Sequence, residues 1–308
     1  MASLMDRNLV LEFARVTEAA ALNCAQWIGK GEKNLADGAA VEAMRKMFDT
    51  VSIDGTVVIG EGEMDEAPML YIGEKVGKGG VAVDIAVDPL EGTNLTAKNM
   101  NGAIAVMAIA AKGGLLHAPD MYMEKIVVGP KAKGAIDINK TPEENMVNVA
   151  KALGKDPSEL TIVMLDRERH QHIVQAARKL GARCKFISDG DVSPVIATSF
   201  GAEGVDMMMG TGGAPEGVIA AAAIKCMGGD MQGRLKPENE AEVQRVHDMG
   251  IADVDKVLTL DDLVSTDDVC FIATGVTNGD MLRGVTGTVR FIEAYHDYDK
   301  KPSYVKVK

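Results

Sequence analysis

The stretch Val81-Ala82-Val83-Asp84-Ile85-Ala86-Val87-Asp88-Pro89-Leu90-Glu91-Gly92-Thr93 changes character halfway along. Its first seven residues alternate apolar side chains around Asp84, which predicts a strand over Val81–Val87. Beyond it, Pro89 sets φ and Gly92 permits a sharp turn. The loop can therefore fold back and aim Asp88, Glu91 and the Thr93 hydroxyl into one space. Two carboxylates and a hydroxyl crowded at a strand end are costly without a cation. Hard ions such as Mg²⁺ or Mn²⁺ prefer oxygen ligands, so the loop reads as half of a metal site. The alternative is a surface turn that the two acids merely decorate.

Working outward, Thr56–Ile59 is a β-branched run closed by Gly60, and it too stops where acids begin, at Glu61 and Glu63. Upstream, Leu9, Phe13, Val16, Ala20 and Trp27 have helical spacing, and a breaker follows at Gly29-Lys30-Gly31. A second helix is expected from about Gly38 to Phe48, and Asp37 just before it would suit an N-cap. Ala103–Ala111 fits a buried strand or a helix, which periodicity does not separate. After about Gly154 an α/β alternation sets in: strand Leu160–Leu165, helix Arg169–Leu180, strand Cys184–Ile187, helix Val192–Thr198, strand Asp206–Met209, a Gly-rich turn and helix Gly217–Met227. This predicts a mostly parallel layer with helices packed on it. With no repeat or linker, residues 1–153 and 154–308 read as two lobes of one continuous body. The polar, basic tail Lys300–Lys308 reads as a solvated end.

Composition narrows the function. A chain of 308 residues, 46% of them hydrophobic, can bury a large core. Its net charge of −12 sets up a field that repels nucleic acid and anionic membranes, so neither is an expected partner. The same field repels a phosphate ester, so an acidic protein that handles one must neutralise its own carboxylates, usually with bound metal. Cys24, Cys184, Cys226 and Cys270 form no C-x-x-C pair and read as free thiols. No apolar run reaches the roughly 18 residues of a membrane span, and Met1–Leu11 lacks a secretion signal, which together favour the cytoplasm.

Asp88-Pro89-Leu90-Glu91-Gly92-Thr93 resembles the signature of the lithium-sensitive, metal-dependent phosphatases of the inositol monophosphatase and fructose bisphosphatase superfamily. Gly31–Asp37, Gly60-Glu61-Gly62-Glu63 within Val58–Leu70, and Gly210–Val218 with Gly212-Gly213-Ala214-Pro215-Glu216-Gly217 are similar to the class II fructose-1,6-bisphosphatase family in particular, over about Leu9 to Tyr295. The resemblance implies an α/β fold of alternating α-β-α-β-α layers and two or more Mg²⁺ or Mn²⁺ ions held by Asp37, Glu61, Asp88, Glu91 and Glu216. It implies Thr93, with Glu61 and Asp88, as the group that positions or activates the attacking water. It also implies substrate contacts from Lys33, the Glu91-Gly92-Thr93 loop, Tyr122, Arg167, Arg169, Asp189, Gly190, Asp191 and Gly213. Glu168 stands where the pattern has proline. The join between Leu282–Val285 and Gly287–Tyr295 is shorter than in the family.

Several of these residues admit plainer readings. Lone Arg167, Arg169 and Lys33 are often solvated, although guanidinium forks suit phosphate oxygens. Asp189-Gly190-Asp191 reads equally as a turn leading into a helix cap. Gly212-Gly213 can bring N–H groups to a phosphate at the next helix start, yet it lacks the Gly-Lys-Ser/Thr of a nucleotide loop. His170 and His172, two apart on a helix, face different ways and read as surface or packing residues. Met207-Met208-Met209 reads as core filling. Glu63, Asp65 and Glu66 read as solvated or outer acids.

The implied reaction is hydrolysis of the 1-phosphate of fructose 1,6-bisphosphate by a homo-oligomer. Sedoheptulose 1,7-bisphosphate or an inositol phosphate are alternative substrates. Gly60-Glu61-Gly62 after a strand hints at a dinucleotide site, but the third glycine is missing and its acids would face a pyrophosphate. A non-catalytic sugar-phosphate sensor would not need the full acid set with Thr93.

Overall fold

The computed structural model describes residues 7–62, 69–200, 204–248, 250–286, 290–294 and 303–307. Glu63, Asp65, Glu66 and Tyr295 lie outside the described residues. Two compact units divide the chain: Met1–Leu116 with Thr266–Lys308, and His117–Ser265. The first holds helices α1 (Arg7–Cys24), α2 (Lys33–Phe48) and α3 (Thr93–Ala97), strands β1 (Ile53–Ile59), β2 (Lys75–Val76), β3 (Val81–Glu91) and β4 (Ile104–Ala111), and the returning strands β11 (Val269–Gly275), β12 (Arg290–Ala294) and β13 (Ser303–Val307). The second holds strands β5 (Tyr122–Val128), β6 (Thr161–Leu165), β7 (Arg183–Ile187), β8 (Met207–Gly213), β9 (Asp230–Lys236) and β10 (Leu258–Thr259). Its helices are α4 (Pro142–Leu153), α5 (Gln171–Lys179), α6 (Val192–Phe200), α7 (Ala214–Met227), α8 (Glu240–Asp248) and α9 (Leu260–Leu263). This is an α/β layered fold, as the sequence implied.

The first unit is built on a five-stranded sheet of order β11-β4-β3-β1-β2. Phe13, Val16 and Ala20 of α1 and Ala40, Met44 and Phe48 of α2 pack on Ile53, Val57, Ile85, Met107 and Ile109. Full burial of the Val, Ile, Met and Phe side chains among them contributes about 1.5–3 kcal/mol each. Ala103–Ala111, open between strand and helix, is a strand paired antiparallel to both β3 and β11. The second unit is built on a six-stranded sheet, β10-β9-β5-β8-β6-β7. Ile126, Val128, Ile162, Met164, Met207 and Met209 meet α4 and α5 through Met146, Val149, Ile173 and Ala177. Helices α6 and α7 pack against β5 and β8.

Four expectations are corrected. The second sheet is mixed rather than mostly parallel: β6 runs parallel to β7 and β8, but β5 runs antiparallel to β8 and β9. The cause is a strand from before residue 154 inserting among later ones, so residue 153 falls inside the second unit. The Gly-rich turn at 210–213 is the far half of β8, because Gly210, Thr211, Gly212 and Gly213 pair with Lys125, Glu124, Met123 and Tyr122. Asp37 lies within α2 instead of capping it, since the helix starts at Lys33. The tail is not simply a solvated end, because Ser303–Val307 pairs with Arg290–Ala294. Met207, Met208 and Met209 are buried as expected, and among the described residues none of the four cysteines forms a disulfide.

Candidate active site

In the first unit the Asp88–Thr93 segment is more regular than its sequence suggests. Strand β3 does not stop at Val87 but runs through Glu91, with an irregularity in its pairing to β4 between Asp88 and Glu91. Pro89 falls at that irregularity, where its missing N–H leaves no gap in the ladder. Asp88 Oδ1 accepts the Leu90 N–H at 3.0 Å, which ties the turn to its own first acid. Gly92 takes φ +88°, a left-handed backbone that glycine adopts without penalty. Thr93 then opens α3, with its Oγ1 donating to the Leu90 carbonyl at 3.3 Å. Glu91 is buried and Thr93 half-buried.

Neighbouring elements of the same unit carry two more of the expected acids. Ile59 of β1 pairs with Ala86 of the parallel β3, so both strands run the same way, β1 toward Glu61 and β3 into Asp88. The Glu61 N–H donates to the Leu70 carbonyl at 3.0 Å. That approach depends on Gly60, where a Cβ would lie 1.9 Å from the Leu70 oxygen. Leu70 holds φ 54°, an uncommon value for a side chain, and its N–H donates to the buried Glu74 carboxylate, which also pairs with Arg45 of α2. On the other side, Gly29 and Gly31 donate to the Thr96 and Ala97 carbonyls at 2.9 and 3.0 Å. This seats the start of α2 against α3. Burial holds the half-buried Asp37 carboxyl above its usual range, while Lys33 is exposed.

In the second unit Glu216 stands in the first turn of α7, directly after β8. Burial, and then the charge of Asp191, push its carboxyl up, and Lys125 opposes them. Glu216 Oε2 and Asp191 Oδ1 are buried without a hydrogen-bond donor among the described residues. Gly213 makes room for the acid, since a Cβ there would sit 1.8 Å from Glu216 Oε2. The Arg169 guanidinium lies 4.9 Å from the Tyr122 ring centre and grips the Thr211 carbonyl at 2.8 and 3.2 Å. Arg167 reaches the Asp166 and Ser188 carbonyls at 2.9 and 3.0 Å, beside Asp189 and Gly190. Of the expected sugar and phosphate contacts, Tyr122 and Arg169 thus share one surface. Asp191, Gly213 and Glu216 gather instead around Lys125, which the sequence reading passed over. A lysine among Met123 and Val127, on the inward register of a strand, is the signal that marks it.

His170 is a packing residue, as expected, but a specific one. It is buried, with Nδ1 2.8 Å from the Leu165 carbonyl and Nε2 accepting the Thr211 N–H at 2.8 Å. Those partners require the neutral ring with the proton on Nδ1. Burial accordingly lowers its pKa from 6.5. Below 6.5 the unfolded chain takes up a proton that the folded one refuses, so this contribution to stability is lost as pH falls through that value toward the folded one. The unfolding free energy of the wild type, measured by denaturant melts, should therefore fall faster below pH 6.5 than that of His170→Asn. The difference in slope should be at most about 1.4 kcal/mol per pH unit, and parallel curves would refute it. His172 is exposed.

In each unit the carboxyl oxygens are of the kind a hard cation takes: in the first, burial holds the half-buried Asp37 high, and in the second, Glu216 Oε2 has no hydrogen-bond donor among the described residues. Among the described residues, no three His, Cys, Asp or Glu side chains are gathered tightly enough to enclose an ion. No described helix is long and apolar enough to cross a membrane.

Comparison with known proteins supplies the family. Residues 7–295 match the family described as bacterial fructose-1,6-bisphosphatase, glpX-encoded. The fructose-1,6-bisphosphatase 1 class 2 of Escherichia coli strain K12 is 49% identical over 334 residues, covering 98% of this chain and 99% of that protein. The fructose-1,6-bisphosphatase class 2 of Haemophilus influenzae is 50% identical over 296 residues, 92% of this chain and 89% of the relative. A Synechococcus protein named D-fructose 1,6-bisphosphatase class 2/sedoheptulose 1,7-bisphosphatase is 43% identical over 337 residues, 96% of this chain and 97% of its own. The Escherichia coli alignment is longer than the 308 residues of this chain, so that relative holds residues missing here, as a shortened internal segment requires. The acids of the Asp88–Thr93 turn, the arginine on Tyr122 and a match running almost end to end place this chain in the class II fructose-1,6-bisphosphatase family.

Proposed function

We propose that the chain removes the 1-phosphate of fructose 1,6-bisphosphate, giving fructose 6-phosphate and inorganic phosphate in gluconeogenesis. The observation that carries this reading is the turn from Asp88 to Thr93, which holds two acids and a hydroxyl on one stiff strand-to-helix junction. Asp37, Glu61, Asp88, Glu91 and Glu216 are the residues proposed to hold two or more Mg²⁺ or Mn²⁺ ions. Such ions neutralise phosphoryl charge and make water a better nucleophile. Thr93 Oγ1 orients the attacking water, with Glu61 and Asp88 beside it. Arg167, Arg169, Tyr122 and Lys33 bind phosphate oxygens or stack near them. Asp189, Gly190 and Asp191 accept hydrogen bonds from sugar hydroxyls, and Gly213 keeps the backbone open beside them.

A homo-oligomer, dimer or tetramer, working in the cytoplasm fits this reading and the acidic composition. Sedoheptulose 1,7-bisphosphate remains the second substrate, because the Synechococcus relative carries both activities in its name. The test is phosphate release from fructose 1,6-bisphosphate, sedoheptulose 1,7-bisphosphate and an inositol monophosphate, each with Mg²⁺, with Mn²⁺, with chelator and with lithium. Metal-dependent, lithium-sensitive release that is greatest from fructose 1,6-bisphosphate is expected. Release undiminished by chelator, or confined to the inositol ester, defeats the proposal.

A further inference from the structure

We propose that Lys125 is the positioning residue for the sugar-contacting carboxylate of Asp191, which rests on the reading of Asp191 given above. Alternation along β5 sends Ile126 and Val128 to the α4 and α5 side, and Lys125 with Met123 and Val127 to the opposite one. Lys125 is 1% exposed, and its ammonium lies 2.6 Å from Asp191 Oδ2. It also donates to the Gly213 carbonyl at 3.0 Å. One buried cation therefore joins three elements: β5, the residue before α6, and the last residue of β8, from which α7 departs with Glu216.

A buried pair of this kind is weak evidence of a role in stability. Lysine is almost never fully buried unless paired, and replacing a buried ion pair with apolar residues of similar volume is often neutral or stabilising. The backbone is nevertheless cut to fit it. A Cβ on Gly212 would lie 2.3 Å from Asp191 Oδ2 and 3.1 Å from Lys125 Nζ, and one on Gly217 would lie 3.3 Å from Lys125 Cδ. Lys125 holds Oδ2 of the carboxylate as an ion pair, and both oxygens are buried without a hydrogen-bond donor among the described residues. A carboxylate anchored by charge at one oxygen and still lacking a donor is oriented to accept a hydroxyl that reaches it, whereas an untethered one must lose side-chain freedom on binding. Lys125 thus acts on the sugar through Asp191, without touching it.

The test is a cycle of Lys125→Met, Asp191→Asn and the double variant, with three readouts besides folding. These are KM and kcat for fructose 1,6-bisphosphate, inhibition by fructose 6-phosphate, and inhibition by inorganic phosphate. Lys125→Met is expected to raise KM and the fructose 6-phosphate inhibition constant about ten- to a hundredfold, the scale of a hydrogen bond to a charged group. At saturating Mg²⁺, so that the lost charge beside Glu216 does not limit metal binding, it should leave kcat within about threefold and phosphate inhibition unchanged, because neither depends on the sugar acid. Asp191→Asn should show the same split, and the double variant should be no worse than Asp191→Asn alone. Multiplying effects, or a Lys125→Met enzyme with unchanged KM beside an impaired Asp191→Asn, overturn the proposal. So does a parallel loss of phosphate affinity. Asp191→Asn with unchanged KM and unchanged fructose 6-phosphate inhibition sinks the sugar reading of Asp191 instead. Should Lys125→Met fail to fold around its unpaired acid, the double variant, neutral at both positions, still decides against Asp191→Asn.

Discussion

Thr93→Ala is expected to lower kcat by about 10²- to 10⁴-fold, the usual contribution of a side chain that handles a proton in the transition state. It should do so without unfolding the enzyme. The turn is shaped by Gly92, whose φ of +88° is independent of the next side chain. The bond from Thr93 Oγ1 to the Leu90 carbonyl is long, at 3.3 Å, and Thr93 is only half-buried. Losing such a bond costs about 0.5–1.5 kcal/mol, and alanine returns part of that as the better helix former at the start of α3. Phosphate release under saturating metal, set beside a thermal melt, separates the two effects. Thr93→Ser, which keeps the hydroxyl, should retain much of the turnover. An alanine variant with wild-type kcat would remove Thr93 from the reaction.

Glu216→Gln should move stability and activity in opposite directions. In the metal-free protein the Glu216 carboxyl is buried, raised by that burial and then by the charge of Asp191, and its Oε2 has no donor among the described residues. Above its ordinary value of 4.5, the unfolded chain gives up this proton while the folded one still holds it. Folding therefore loses stability as pH climbs from 4.5 through the raised folded value. Glutamine has no proton to lose there. In chelator the variant should match the wild type below pH 4.5 and exceed it near neutrality, by about 1–3 kcal/mol, the penalty of a buried unsatisfied group. The metal-activation constant should rise steeply. Outer partners of metal sites already cost about 10–100-fold when lost, and a direct ligand should cost more. Denaturant melts in chelator and a metal titration of turnover check both halves. A variant less stable than the wild type at neutral pH, or one activated at unchanged metal concentration, contradicts the assignment.

These expectations came from different depths of the chain. The Asp88–Thr93 turn was legible because Pro89 and Gly92 restrict their own backbones, whatever lies elsewhere. The strand-end placement of Glu61 was legible for the same reason: a β-branched run ending in glycine is a local signal. Helix α4 was passed over, although Thr141, Pro142, Glu144 and Gly154 spell out its capping box and its left-handed end. That omission was one of reading rather than of information.

By itself the sequence determined the layered α/β class, the family and the acids and hydroxyl of the Asp88–Thr93 turn. These follow from short-range backbone preference and from residue patterns that survive at about half identity. Only the tertiary structure decided which strands became neighbours. Strand β5 entered the later sheet, turned 210–213 from a loop into a strand, and carried Lys125 to Asp191. Val269 returned to pair with Ala110, placing the C-terminal strands in the first unit. Gly29 and Gly31 reached α3, and α2 began early enough to take Asp37 inside it. The physical reason is that alternation along a strand specifies which face is apolar, whereas its partners are chosen by burial and hydrogen bonding between segments far apart in the chain.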